Sequence, residues 1–288
     1  MFYNDIGTRF VSLSAYSALL CVCHEDKSEW LSVALDSMLC QTVKPDEIVL
    51  VQNGPLADDL DAVIYRYKEK NPKIIKILPL PDKVSVGLAM QQGVLACSHG
   101  FIACMDADGY SVPTRIEEEL EALFENKVDM VGSVVDEFVE STDNVVAHRK
   151  YPETPEQIYK FAKRKVPMAH SSVLFKKRMV LACGNYEDFY MAEDYALFIR
   201  LLGICAKGYN IQKTLVYKRV SEDFYELRRD RKYFKAMVSF NKKFFKTKWF
   251  GYRDYIARSI KNCLDCLKPN AAKGFVCKRD CVEKEYVR

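Results

Sequence analysis

Glycine and proline are scarce in this chain of 288 residues, at 12 and 10, which excludes collagen-like and low-complexity architecture. No repeat period of solenoid type runs through it. No uninterrupted apolar run reaches the ~18 residues of a membrane-spanning helix. Residues 10–23, FVSLSAYSALLCVC, have the length of a signal-peptide core, but the flank holds Asp5 and one cation, Arg9, and His24-Glu25-Asp26 follows at once. The segment therefore reads as a buried first strand. A disulfide framework is also missing. The eleven cysteines are an odd number, and most, including Cys21, Cys23, Cys97, Cys104 and Cys183, sit inside apolar runs. Buried thiols in a reducing cytoplasm account for that better. No glycine stands in HEDKSEW after the first strand, which excludes a dinucleotide fold built on G-x-G-x-x-G and argues against a sugar-phosphate nucleotidylyltransferase. No nucleic-acid module is recognisable, so no nucleic-acid partner is expected.

What the chain does have is 49% apolar and 28% charged residues, enough for a sizeable core in one large domain or two small ones. Charge is unevenly spread. Residues 225–288 carry 18 Lys and Arg against 7 Asp and Glu, a net of +11, and residues 1–224 carry 25 against 32, a net of −7. The basic segment is aromatic too. Tyr233, Phe234, Met237, Val238, Asn241, Phe244 and Phe245 recur at helical spacing, with Lys235, Lys242, Lys243 and Lys246 on other faces. Two readings are open: a helix packed on the body with a solvated basic face, or attachment to an anionic membrane surface through residues 225–288.

Short apolar runs alternate with helical periods along the first half. Strands are expected at 18–23, 47–51, 74–78, 101–105 and 130–135. Helices are expected at 28–39, around Leu60 to Tyr67, at 86–97, and after Pro113 at a first helical position. Asp26 and Glu29 are spaced as a capping box for the helix at 28–39. Such alternation implies βαβ units, and thus an α/β class with a mostly parallel sheet covered on both faces. Past Val135 it gives way to shorter strands and helices up to Val220, then the helical basic tail. Residues 1–220 are accordingly read as one α/β domain and 221–288 as a helical extension.

Ligands of such sheets bind beyond the carboxyl ends of strands. The polar groups there are His24-Glu25-Asp26, Gln52-Asn53-Gly54 and Asp106-Ala107-Asp108. The last, inside FIACMDADGYSVPTR, is the strongest signal. Two carboxylates two apart directly after an apolar strand offer hard oxygen ligands suited to Mg²⁺ or Mn²⁺ held together with a diphosphate.

The ordered set of motifs resembles the family 2 glycosyltransferases of the GT-A fold, in particular bacterial polysaccharide transferases. SALLCVCHEDKSEWLSVALDSMLCQT, PDEIVLVQNGPL, VGLAMQQGVLACSHGFIACMDADGYSVPTRIE, MAHSSVLFKK and MAEDYALFIRLL carry the likeness, over residues 18–219. The resemblance implies a Rossmann-like sheet and an inverting, nonprocessive transferase. It would move a sugar from a nucleotide-sugar, a UDP-sugar by expectation, to a glycan or lipid-linked acceptor of a surface polysaccharide. It further implies that Asp108 ligates Mn²⁺ or Mg²⁺ on the donor diphosphate and that Asp106 holds the ribose or a metal-bound water. Cys23, His24, Glu25 and Asn53 would line the nucleotide base. Asp194 would be the catalytic base, with Glu193 beside it. His170 would lie near the donor, and Arg228 and Arg229 would reach the diphosphate. The implied location is cytoplasmic or peripheral on the inner membrane face.

Each role has a plainer counterpart. Asp194 also suits a helix N-terminus before Tyr195, Leu197, Phe198 and Leu201, His170 a hydrogen-bonded structural position, and Arg228 and Arg229 solvated charge. Two positions depart from the family pattern. Asn53 stands where Asp is common, and Gly109 where a further Asp often follows. They keep open a non-catalytic nucleotide-sugar or glycan binder of the same fold. Gln-x-x-Arg-Trp is missing after Glu193-Asp194, so processive polymerisation is not expected. Cys263, Cys266, Cys277 and Cys281 have near-zinc spacing, but the first pair falls at one-turn spacing among Ile260, Leu264 and Leu267, and the glycines of a zinc knuckle are missing.

Overall fold

A strand buried on both faces must be apolar at nearly every position. The first strand, β1 (Tyr16–Val22), and the second, β2 (Glu47–Asn53), meet that demand over residues 18–22 and 48–51, with the polar Ser17, Glu47, Gln52 and Asn53 buried towards their ends. They belong to a computed structural model that describes residues 14–221 and 231–267. Arg228, Arg229, Cys277 and Cys281 lie outside the described residues. The other elements are α1 (Ser28–Leu39), α2 (Asp58–Lys70), β3 (Ile75–Leu80), α3 (Val86–Ala96), β4 (Phe101–Cys104), β5 (Tyr110–Ser111), α4 (Arg115–Glu125), β6 (Met130–Phe138), β7 (Val145–Arg149), α5 (Pro155–Phe161), β8 (Leu174–Lys176), α6 (Lys177–Ala182), α7 (Glu193–Gly203), β9 (Gly208–Arg219), α8 (Arg231–Lys246) and α9 (Tyr252–Leu267), with a single 3-10 turn at His170–Ser172.

Among the described residues the nine strands form one sheet in the order β3-β2-β1-β4-β8-β6-β9-β5, with β7 paired to β6. The strands β3, β2, β1 and β4 run parallel, as the βαβ alternation implies. Then β8 enters antiparallel between β4 and β6, and β9 returns parallel to β6. Two reversals in succession leave β6 and β9 pointing the same way as β4. Their carboxyl ends therefore open at the edge where the Asp106-Ala107-Asp108 turn emerges.

The period-two alternation of the strands divides the core between the two faces. Leu19, Val49 and Val51 pack with Met90 and Val94 of α3 and with Leu197, Phe198 and Leu201 of α7. Ala18, Leu20, Ile48 and Leu50 pack with Leu31, Leu35 and Met38 of α1, Ile64 of α2 and Ile116 and Leu120 of α4. Of the tail, Met237, Phe240 and Phe244 of α8, with Trp249 and Phe250, join the first of these clusters. The packed-helix reading therefore holds for the buried side of α8. Asn241, the polar exception on that side, is buried and accepts a hydrogen bond from Arg258 Nε at 2.8 Å.

Three local expectations are corrected. Asp26 does not cap α1. Its Oδ2 accepts from the backbone N–H of Cys23 at 2.7 Å, closing the turn that leaves β1, and the residue ahead of the helix is Lys27, whose side chain makes no capping bond. Because the helix starts one residue later than the spacing implies, Asp26 falls outside the cap position and serves the turn instead. Pro113 stands two residues ahead of α4, which begins at Arg115 after Thr114. Finally, β9 spans 12 residues. Its pairing along the whole of β6 supports a length that the polar run Gln212-Lys213-Thr214 conceals.

Candidate active site

The end of β4 is held from behind by a buried guanidinium. Arg115 Nη2 donates to Cys104 O at 2.9 Å, and Nε donates to Glu119 Oε1 at 2.9 Å. Burial raises the Glu119 carboxyl to about 7, against the opposing pull of Arg115. Gln41, also buried, pins the following segment. Its Nε2 donates to Val112 O at 2.9 Å and Ser111 Oγ at 3.2 Å, and its Oε1 accepts from Ile116 N at 3.2 Å. Between these two anchors Asp106 and Asp108 are left half-buried at the cleft.

Opposite charge reaches them from the far end of the sheet. Lys218 Nζ bonds Asp106 Oδ2 at 2.9 Å. Arg219 Nε donates to the carbonyl of Asp108 at 3.3 Å, and its guanidinium lies 4.4 Å from the ring centre of Trp30 and 4.6 Å from that of Phe138. Burial works against ionisation of Asp106, but the Lys218 ammonium outweighs it and holds the carboxyl below its ordinary range. Among the described residues Asp108 has no such ion-pair partner. Burial, followed by the negative charges of Asp106 and Asp26, pushes it up to about 6. Burial and the same crowding raise Asp26.

This asymmetry gives a test in chelator. A carboxyl raised in the folded state binds more protons there than in the unfolded chain, whose Asp titrates near 3.9. Its penalty on stability is present above pH ~6 and fades as the pH falls towards 4. Asp108→Asn is therefore expected to melt higher than wild type at pH 7, with a difference that falls to about half by pH 5 and vanishes below pH ~4. Calorimetry showing the same difference at both values would contradict the assignment.

The opposite wall comes from the His170–Ser172 turn and α7. His170 Nε2 shares a 2.7 Å hydrogen bond with Tyr186 Oη, which lies 3.7 Å from Cys104 Sγ. Burial lowers the His170 pKa, against the raising influence of the Asp194 and Asp106 carboxylates. Tyr186 thus holds the His170 ring, and burial favours its neutral form. Asp194 stands in the first turn of α7, where its Oδ1 accepts from Tyr195 N at 2.6 Å. Tyr195 anchors that turn by donating from its hydroxyl to Ala162 O at 2.8 Å and stacking on Phe240 with ring centres 5.0 Å apart. Glu193 borders α3. A Cβ on Gly87 would lie 3.1 Å from Glu193 Cβ and only 2.2 Å from the Glu187 carbonyl oxygen, so only glycine admits this approach. His170, within the influence of both the Asp106 and the Asp194 charges, thus links the Asp106-Ala107-Asp108 turn to the first turn of α7.

The residues expected at the base are a mixed group. His24 is exposed, and Glu25 pairs with Lys83 at the surface. A hydrogen bond from Cys21 pulls the Cys23 thiol below its ordinary range and pushes Cys21 above. Asn53 is buried, and both ends of its amide serve the backbone of Val84. Its Nδ2 donates to Val84 O at 3.0 Å, and its Oδ1 accepts from Val84 N at 2.9 Å. An aspartate could not make both bonds, which accounts for this departure from the family pattern. Gly109 has a similar cause, since a Cβ there would come within 3.0 Å of Tyr217 O on β9. Lys218, Arg219 and Tyr186 escaped the sequence reading. Two adjacent cations ending the apolar run LVYKRV were the available signal, yet nothing local joins Lys218 to a carboxylate 112 residues away.

Among the described residues, no group of three or more His, Cys, Asp or Glu is placed to hold a metal ion by itself. The residues still fit a divalent cation that brings further oxygen ligands. The Asp106 charge raises the proton affinity of both Asp108 and Asp26, and Asp26 raises that of Asp108, so carboxylate oxygens converge here.

A mostly parallel sheet flanked by helices, with carboxylates at the open end of β4, is an α/β arrangement of the GT-A type. Comparison with known proteins agrees. The family described as "Glycosyl transferase family 2" matches residues 17–183. The chain belongs to that family and is a glycosyltransferase. It is 29% identical over 265 residues to the "UDP-Gal:alpha-D-GlcNAc-diphosphoundecaprenol beta-1,3-galactosyltransferase" of Escherichia coli, covering 92% of this chain and 95% of that one. Two solved structures share the fold at low identity. The mannosyltransferase PcManGT from Pyrobaculum calidifontis, in complex with GDP-Man and Mn²⁺, has a TM-score of 0.64 at 12% identity, covering 98% of this chain and 83% of that one. S. aureus TarS 1-349 in complex with UDP has 0.56 at 17%, covering 78% of this chain, which spans 65% of that structure.

Proposed function

We propose that this glycosyltransferase moves a sugar from a UDP-sugar to a lipid-linked or glycan acceptor in surface polysaccharide assembly, with inversion, one sugar per encounter and a divalent cation on the leaving diphosphate. The observation that supports this reading is that His170 lies under the charge of both Asp106 and Asp194, which sets the Asp106-Ala107-Asp108 turn near the Glu193-Asp194 pair. Inversion needs a base on the face of the sugar opposite the departing nucleotide, and no covalent nucleophile. UDP as the donor nucleotide and a lipid diphosphate as the acceptor are supported by the name of the E. coli relative.

Asp108 and Asp106 would hold Mn²⁺ or Mg²⁺, which supplies Lewis-acid charge to the leaving diphosphate. The chain's own groups do the remainder. Lys218 and Arg219 add resident positive charge on the diphosphate side. Asp194 takes the proton of the acceptor hydroxyl as that oxygen attacks the anomeric carbon. Tyr195 holds the start of α7 so that the carboxylate stays in reach, and His170 with Tyr186 forms a neutral hydrogen-bonded wall between the two acidic groups.

The test is transfer from a panel of nucleotide-sugars to a sugar-diphosphate-lipid acceptor, with the anomeric configuration of the product read by NMR. A UDP-sugar is expected to be the donor, and the new bond to have the opposite configuration. A retained configuration would overturn the single-displacement mechanism, and preference for a guanosine donor would overturn the nucleotide.

A further inference from the structure

The last helix is amphipathic in the unexpected sense. Its inward side carries Tyr255, Arg258, Ser259 and Asn262, all half-buried. Its outward side carries Tyr252, Ile256, Ile260 and Leu264, which are 70, 39, 55 and 54% exposed. Residues four apart lie above one another on a helix, so these four make one continuous apolar ridge along α9. Three hydrogen bonds and an aromatic contact set the direction in which the ridge points. Arg258 donates from Nε to Asn241 Oδ1 at 2.8 Å, and from Nη1 to Arg164 O at 2.7 Å and Tyr195 Oη at 2.8 Å. Its guanidinium also sits 4.5 Å from the ring centre of Phe250. Rolling α9 to bury the ridge would break all of these. The ridge is a built feature of the surface.

Charge says what covers it. Residues 231–264 contain ten Lys and Arg and a single acidic residue, Asp254. Lys235, Lys242 and Lys246 on α8, Lys248, and Arg253 and Lys261 on α9 are exposed. Exposed Phe245 stacks on Tyr255 at 4.6 Å, which sets the cationic side of α8 next to α9. A second copy of the chain would suit the ridge but not its border, because a twofold interface sets like patches, and thus like charges, against each other. A bilayer with anionic headgroups satisfies both.

We propose that the outward face of α8 and α9 is a membrane-docking surface. Tyr252, Ile256, Ile260 and Leu264 enter the headgroup–acyl boundary, and the flanking cations bind anionic headgroups. The proposal deepens the reading of a lipid-linked acceptor, and rests on it for its purpose. Arg258 bonds the hydroxyl of Tyr195, the residue next to Asp194, so docking holds the proposed base at a set height above the lipid surface from which the acceptor sugar would project.

The test is sedimentation of the full chain with vesicles of phosphatidylcholine, alone or mixed with phosphatidylglycerol. Wild type is expected to bind the mixed vesicles, with affinity falling as salt rises. Ile256→Glu/Ile260→Glu/Leu264→Glu is expected to weaken binding by at least about tenfold. Lys242→Gln/Lys246→Gln/Lys261→Gln is expected to weaken it and flatten the salt dependence. Cooperative melting of each variant establishes that it folds, and Ile260→Gln alone, expected to bind less tightly than wild type, serves if the triple glutamate variant does not. Equal binding by the folded ridge variant and wild type would overturn the proposal, and so would wild type that ignores anionic vesicles. A wild-type dimer made monomeric by the ridge substitutions, with no vesicle binding, would assign the ridge to a second copy and likewise overturn it. No donor or acceptor enters the assay, so failure of docking leaves the transfer reading standing, and failure of transfer leaves docking standing.

Discussion

Asp194→Asn is expected to keep its affinity for a uridine nucleotide and lose a factor of about 10² or more in turnover, the scale on which enzymes depend on a general base. The amide retains the shape of the carboxylate and its carbonyl oxygen, so the hydrogen bond from Tyr195 N, at 2.6 Å in the wild type, survives. The anchors of the helix, Tyr195 on Ala162 and Arg258 on Tyr195, are untouched. What the amide cannot do is accept a proton. The same substitution separates the two readings of this residue. A helix-end carboxylate with no further task would be replaced at little cost, since Asn caps as well as Asp. Near wild-type turnover of the purified variant would falsify the role of Asp194 and move the base to Glu193, its neighbour in the first turn of α7.

Asp108→Ala is expected to abolish the advantage that a divalent cation gives to nucleotide binding. In the wild type, calorimetry should find UDP bound at least about tenfold more tightly with Mn²⁺ or Mg²⁺ than in chelator, because the cation removes repulsion between the diphosphate and Asp106, Asp108 and Asp26. In the variant the two affinities should converge. The chelator value should hold steady or rise, since one of the three repelling carboxylates is gone and Lys218 and Arg219 remain. Equal affinity with and without metal in the wild type would show that Lys218, already bonded to Asp106, supplies the counter-charge alone.

The parallel half of the sheet was readable because β1, β2 and β4 each hold an apolar run that leads into a polar turn, and only β3 is broken, by Lys76. Leu19, Leu20, Val49 and Leu50 are buried whichever face they point to. The carboxylates Asp106 and Asp108 were readable for the same reason, since a strand's end is a local feature. Asp26 was misread because its spacing to Glu29 matches a capping box while its side chain turns back to Cys23. That choice depends on backbone geometry, which spacing does not record. The departures Asn53 and Gly109 looked like doubts about activity in the sequence. They have structural causes in the backbone of Val84 and the carbonyl of Tyr217.

The sequence by itself determined the α/β class, the family, the two acidic pairs and the basic, aromatic character of the tail, all of which are written in local pattern and order. Tertiary structure alone decided which charges meet. The insertion of β8 between β4 and β6 turns β9 so that Lys218 arrives beside Asp106. It decided too which side of each tail helix faces the body. Helical spacing shows that a stripe exists and not what it packs against, so α8 buries Phe240 and Phe244 while α9, turned by the three hydrogen bonds of Arg258, leaves Ile256, Ile260 and Leu264 facing out.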